Sequence, residues 1–228
     1  MSADVLTPLL LTLKVAVFAT LLAAVSGVIC ARALGRRRSF ARESVESLLT
    51  LPLVLPPTVL GYYLLVVLGR RGAIGSWLLE HFGITLIFTW QGAVVAAAIA
   101  AFPLILRAAR AAFAEVDPQL ENAARTLGLS EAAVFFRVTL PLAGRGVLAG
   151  TLLAFARAMG EFGATLMVAG SLPGRTQTLS IAIYNAVMAG DDDAANRLVL
   201  VSLIAAVVIL VTAAQLLQRP MHEARNAA

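Results

Sequence analysis

At 228 residues, with 60% hydrophobic and only 14% charged side chains and a mean hydropathy of +0.87, the chain is too apolar for a soluble domain. Soluble domains carry about a quarter charged residues, so lipid must solvate part of this one. The net charge of +5 does not indicate nucleic-acid binding, because the arginines sit in short loops between apolar runs rather than along one exposed face. The lone Cys30 excludes an intrachain disulfide, and His81 and His222 lie far apart, so no metal site is expected.

Crossing the hydrocarbon takes roughly 20 apolar residues in a helix. Five stretches are read as spans, at 9–33, 48–68, 90–107, 147–169 and 198–217. The first follows Asp4 with no basic segment before it, and its apolar run is too long for a signal-peptide core. Lys14 near its outer end is placed to snorkel to the interface. The second contains Pro52, Pro56 and Pro57, which remove helical hydrogen bonds. Either this helix lines a cavity or the prolines only kink it for packing. Alanines 96, 97, 98, 100 and 101 crowd the middle of the third.

Residues 115–141, between the third and fourth spans, are predicted to form a compact cytoplasmic elbow. A short amphipathic helix carries Glu121, Asn122, Ala123 and Ala124 and ends at Gly128, a residue suited to a left-handed cap. A second begins at Ser130 as N-cap, and Pro141 is expected to close the segment before the fourth span. Ala123 and Ala124 would let a partner surface approach closely. An interfacial amphipathic helix without any docking role is the plainer alternative.

In the fourth span Arg157 and Glu161 stand four residues apart, on one helical face. Buried charges in membranes face a bundle interior or an aqueous path. The pair is read either as lining a passage or as a mutually neutralising clamp between helices. Gly146 and Gly150 permit a close helix crossing, expected within the subunit. Residues 178–189 are too short to span and are expected to form a short helix at the outer surface. Asp191, Asp192 and Asp193 then cap the fifth span or meet an external partner. A short tail, 219–228, follows.

Twelve arginines fall on one side of these spans: 32, 36, 37, 38, 42, 107, 110, 125, 137, 145, 219 and 225. Arg70, Arg71, Arg175 and Arg197 fall on the other. Positive residues stay inside, which puts the N-terminus outside and the C-terminus in the cytoplasm. The fold expected is an all-α integral membrane protein of five helices, with one transmembrane domain over 8–218.

The elbow resembles the coupling loop of ABC importer permeases, whose pattern is Glu-Ala-Ala, three residues, Gly, nine residues, Ile, one residue, Leu-Pro. Ala123, Ala124, Gly128, Val138, Leu140 and Pro141 fall in register. Asn122 occupies the family's glutamate position and the carboxylate lies one residue earlier, at Glu121. Further stretches resemble the molybdate branch of that family: Leu51 through Pro57, Gly69-Arg70-Arg71-Gly72, Phe155-Ala156-Arg157 with Gly160 through Thr165, and Pro173 through Thr176. The resemblance implies the type I ABC importer permease fold and no enzyme activity on this chain. Its implied partners are a second copy of itself, cytoplasmic ATPase subunits, an external molybdate-binding protein and membrane lipid. Coupling is then assigned to Glu121, Asn122, Ala123, Ala124, Gly128, Val138, Leu140 and Pro141, with Arg157, Glu161, Pro56 and Pro57 as path candidates.

Independently of that likeness, Lys14 is the only lysine and has no glycine-rich turn before it, so no P-loop is present. No cofactor is expected here; ATP and magnesium would sit on the partner chain. The rival readings are a permease for sulfate, thiosulfate or tungstate, and an ATP-independent channel or secondary transporter.

Overall fold

In a computed structural model, residues 3–35 and 39–226 are described, and they are almost entirely helical. The arginines at 36, 37 and 38 and residues 227–228 lie outside the described residues. The centre of the molecule is α5 (Trp90–Glu115), held between α1 (Ala3–Leu34) and α8 (Leu140–Met159). Small residues make this possible. Ala93, Ala97, Ala98 and Ala101 of α5 are buried against Ala16, Ala19 and Ala23 of α1 and Ala154 and Ala158 of α8. Between helices in lipid there is little hydrophobic drive, so close backbone approach and dispersion hold the bundle.

The glycines of α8 show how tight that approach is. A Cβ on Gly146 would stand 2.6 Å from the Ala112 Cβ, and one on Gly150 2.3 Å from the Ala108 Cβ. The small-residue pair therefore packs α8 on α5 within the subunit, as expected.

Two expected spans are broken rather than continuous. The second divides into α2 (Phe40–Leu49), a 3-10 turn at Leu51–Leu53 and α3 (Pro57–Leu68). Pro57 pushes the residue before it out of the helical region, and Pro56 accordingly sits at φ −52°, ψ 136°. Pro57 then opens α3 at its first position. The fourth span stops at Met159, and a separate helix α9 (Gly163–Ala169) follows a turn. Among the described residues four helices are long and apolar enough to cross a membrane: Val5–Leu34, Trp90–Glu115, Glu131–Met159 and Asp192–Thr212.

The broken pieces pack on each other. A Cβ on Gly61 of α3 would meet the Met167 Cβ of α9 at 2.7 Å, and one on Gly163 would meet the Pro57 Cβ at 2.8 Å. Between α3 and α5 lies α4 (Ala73–Phe82). At the opposite end of α5 are α6 (Pro118–Thr126) and α7 (Glu131–Val134). The expected short helix forms as α10 (Leu179–Met188), and α11 (Asp192–Asn226) closes the chain. Thr12, buried in α1, donates to the Pro8 carbonyl at 2.8 Å and accepts the Leu179 N–H at 2.7 Å, which docks α10 on α1. Asp191 accepts the Ala194 N–H at 2.9 Å and so caps α11.

Lys14 does not reach for the interface alone. Its Nζ lies 3.7 Å above the Trp90 ring, a cation–π contact that ties α1 to the first turn of α5.

Candidate functional site

The elbow is built by local capping rules. Asp117 accepts the Gln119 N–H at 2.8 Å and starts α6, with Pro118 at its first position. The helix ends before Gly128, which adopts φ +82°, a left-handed conformation that costs glycine nothing. Ser130 accepts the Ala133 N–H at 3.3 Å and opens α7.

The exit from the elbow differs from expectation. Pro141 does not close the segment; α7 runs through a wide π-helical turn, Phe135–Thr139, straight into α8. Proline in a regular helix clashes with the carbonyl four residues earlier. The wide turn opens the spacing there, and the Leu140 N–H bonds the Phe135 carbonyl instead. The second elbow helix and the transmembrane helix are thus one rod.

Arg125 is the hub of the elbow. Its Nε donates to Glu131 Oε1 at 2.6 Å and its Nη1 to Asn122 Oδ1 at 2.8 Å. The Glu131 hydrogen bond, then the nearby Glu131 and Glu121 charges, hold the guanidinium in its charged form even beyond the usual range, against some desolvation. Arg32, at the end of α1, reaches Glu131 Oε2 at 3.4 Å and lies over the Phe135 ring. Glu121 accepts from the Thr139 hydroxyl at 2.6 Å.

Of the residues assigned to coupling, Asn122, Ala123 and Gly128 are exposed, whereas Ala124 is buried. Ala124 therefore packs on the inner side of α6. Val138 and Leu140 are partly buried along the wide turn, and Pro141 is exposed. Arg32, Glu131 and Thr139 were not singled out from the sequence. Arg32 and Glu131 stand 99 residues apart, and no local pattern signals such a pair.

At the other candidate locus, Arg157 Nη1 and Glu161 Oε2 are 2.6 Å apart. They do not share a continuous helix: Arg157 closes α8, and Glu161 lies in the turn beyond it. Glu161, with its side chain 1% exposed, also accepts the Ala164 N–H at 2.9 Å. The side chain takes a donor that a continuing helix would give to the Gly160 carbonyl, and so ends α8 and starts α9. Pro57 touches this turn at Gly163. Arg157, Glu161 and Pro57 therefore come together where two broken helices meet, while the elbow lies at the far end of α8.

Comparison with known proteins agrees with this architecture. Residues 23–222 match the family described as the binding-protein-dependent transport system inner membrane component, and the chain belongs to that family. It is a multi-pass protein of the bacterial inner membrane. It is 48% identical to the molybdenum transport system permease protein ModB of Escherichia coli K12 over 202 residues, 88% of each chain. It is 42% identical to the protein of the same name from Haemophilus influenzae, over 92% of each. A chain of the inward-facing MetNI methionine ABC transporter superposes with a TM-score of 0.75 at 17% identity, covering 96% of this chain and 99% of that one. The fold is that of ABC importer permeases.

Proposed function

We propose that this chain is the permease subunit of an ATP-driven molybdate importer. The observation that carries the reading is the near full-length similarity to molybdenum transport permeases. The elbow supports it: a capped knob whose second helix runs on into a transmembrane rod is the part such a machine needs to receive force from a separate motor.

In this reading two copies of the chain form the translocation path. Two cytoplasmic ATPase subunits hold the ATP and magnesium, and an external binding protein delivers the anion. The chain itself carries no cofactor, forms one membrane domain over 8–218 and ends in a short cytoplasmic tail. The N-terminus is outside and the C-terminus inside, with five crossings. The second and fourth crossings are composite: the 3-10 turn with α3, and α8 with α9. Lipid covers the exposed apolar face of α11, where Leu200, Leu203, Val207 and Leu210 point outward.

The cycle is alternating access. ATP closes the motor subunits, the elbows follow, and α8 moves with them because α7 runs into it without a break. A ligand drives such a switch only if it binds one state better than the other. Glu121, Asn122, Ala123 and Gly128 form the elbow that follows the motor, with Val138, Leu140 and Pro141 in its exit. In this reading Arg157, Glu161, Pro56 and Pro57 line the path by which a dianion passes the broken helices.

Reconstitution of the chain with its ATPase and binding protein in liposomes tests this. ATP-dependent molybdate uptake is expected, with tungstate and sulfate competing according to the selectivity of the binding protein. Solute flux through the chain alone, down a gradient and without ATPase, would overturn the reading in favour of a channel or secondary carrier. Uptake of sulfate but not molybdate would reassign the cargo.

A further inference from the structure

Helix α2 carries its polarity the opposite way round from a helix on a soluble protein. Glu43, Glu46 and Ser47 recur at i, i+3 and i+4, and Thr50 follows at i+7, so the four share one stripe. That stripe lines a cavity of about 520 Å³, which Arg107 and Arg110 of α5 line from the other side. Val45 and Leu48 lie outside it and are exposed, Leu48 by 66%. An outward apolar side and a polar stripe turned to a cavity suit a helix lying in the boundary layer of a bilayer, with the cavity at headgroup depth.

Arg110 pairs with Glu46, which fixes α2 on α5 and neutralises both groups. Arg107 and Glu43 are exposed, and among the described residues neither makes an ion pair, with the other or with any neighbour. One cation and one carboxylate thus stand open in the same cavity. A ligand that satisfies both has to carry an anion and a cation together. The same three helices continue as an apolar groove of about 290 Å³, lined by Leu22 and Ser26 of α1, Leu49 of α2 and Phe102 of α5. On α5 Phe102 and Arg107 are five residues apart, as are Ser26 and Ala31 on α1, about 7.5 Å along each helix. Polar cavity and apolar groove therefore follow one another along a single trough, with the groove on the side of the bilayer interior.

We infer that this trough is a phospholipid site. A headgroup bearing a phosphate and a primary ammonium occupies the polar cavity, the phosphate on Arg107 and the ammonium on Glu43, and an acyl chain lies in the groove. The Arg107 guanidinium donates to the phosphate oxygens, a charge-assisted bond of the stronger kind. Glu43 accepts N–H bonds that a quaternary ammonium does not offer. The groove decides the source: a soluble phosphate would fill the polar cavity and leave the apolar one uncovered. Bound there, the lipid joins α1, α2 and α5 and stabilises the folded chain by mass action. The site needs only a bilayer around the chain, whatever its cargo or motor.

The test titrates full-length permease in detergent with dioleoylphosphatidylethanolamine and with the phosphatidylcholine and phosphatidylglycerol of the same chains, bound lipid being counted by native mass spectrometry. The ethanolamine lipid is expected to bind at least about threefold more tightly than the other two. Glu43→Gln should erase that preference, and Arg107→Gln should weaken all three lipids about fivefold. Ser26→Phe, which fills the groove, should also weaken all three. Leu22→Trp, at an exposed position on the same groove, is scored in its place if Ser26→Phe does not insert. Should Arg107→Gln not insert, Glu43→Gln alone decides the headgroup. Added ethanolamine lipid is expected to raise the unfolding temperature of the wild type more than that of Arg107→Gln. Equal binding of the three lipids, a preference for phosphatidylglycerol, or unchanged affinity in Arg107→Gln or in the groove variant would each overturn the site. Displacement of the lipid by glycerophosphoethanolamine, the same headgroup without chains, would overturn it in favour of a soluble phosphate.

Discussion

Glu161 carries two bonds that no neighbour can replace: the ion pair with Arg157 and the cap on the Ala164 N–H. Truncating one partner of a buried pair leaves an uncompensated charge. Glu161→Ala leaves only Arg157, which is about one-third exposed, so it is expected to cost about 1 kcal/mol through the lost cap, seen as a lower unfolding temperature in detergent. Glu161→Gln keeps an oxygen for the Ala164 N–H and should lose less. Arg157→Gln strands Glu161, whose side chain is 1% exposed, without its counter-ion and is expected to cost more, about 3 kcal/mol. Its assembly and uptake then separate the two readings of the pair: transport lost in an assembled complex makes it part of the path, and a complex that fails to assemble makes it a clamp. The sequence placed these two charges four residues apart and left open whether they line a passage or neutralise each other. That they straddle a helix break was not legible, because the break is made by the Glu161 side chain itself acting as a cap.

At the scale of elements, what matters is how near two backbones come. Gly150 leaves no room beside Ala108, so Gly150→Leu is expected to cost about 1–3 kcal/mol through overpacking of α8 against α5. The smaller Gly150→Ala should lose less and be relieved by Ala108→Gly, a rescue that thermal unfolding of the double variant would show. Gly128 makes a different case. Nothing lies near its would-be Cβ, so Gly128→Ala meets only the left-handed backbone penalty of about 1–2 kcal/mol. The expected result is near-normal insertion with reduced uptake per ATP, since the strain falls on the elbow rather than the bundle. Capping signals at Gly128 and Ser130 were readable because they act within a few residues. The rod through Pro141 was not, since its wide turn replaces the ordinary rule that proline stops a helix.

Across the whole molecule the two ends of the bundle are set apart by α5, whose 26 residues span about 39 Å. The Gly69–Gly72 turn lies at its N-terminal end and the elbow at its C-terminal end. In a background with Cys30 replaced, Leu127→Cys is expected to react with an impermeant thiol reagent only from the cytoplasmic side, and Arg71→Cys only from outside. Labelling of both from one side would overturn the orientation. By itself the sequence determined the solvent of this chain, its helical class, its charge asymmetry and the elbow's capped form. Composition and short-range hydrogen bonding act locally, so single residues and their near neighbours record them. Only the tertiary structure decided which helices are broken, that α3 packs on α9, that Ala124 faces inward, and that Glu121 meets Thr139. Each of these depends on surfaces brought together from distant parts of the chain, where fit between backbones, rather than the preference of any one segment, sets the lowest free energy.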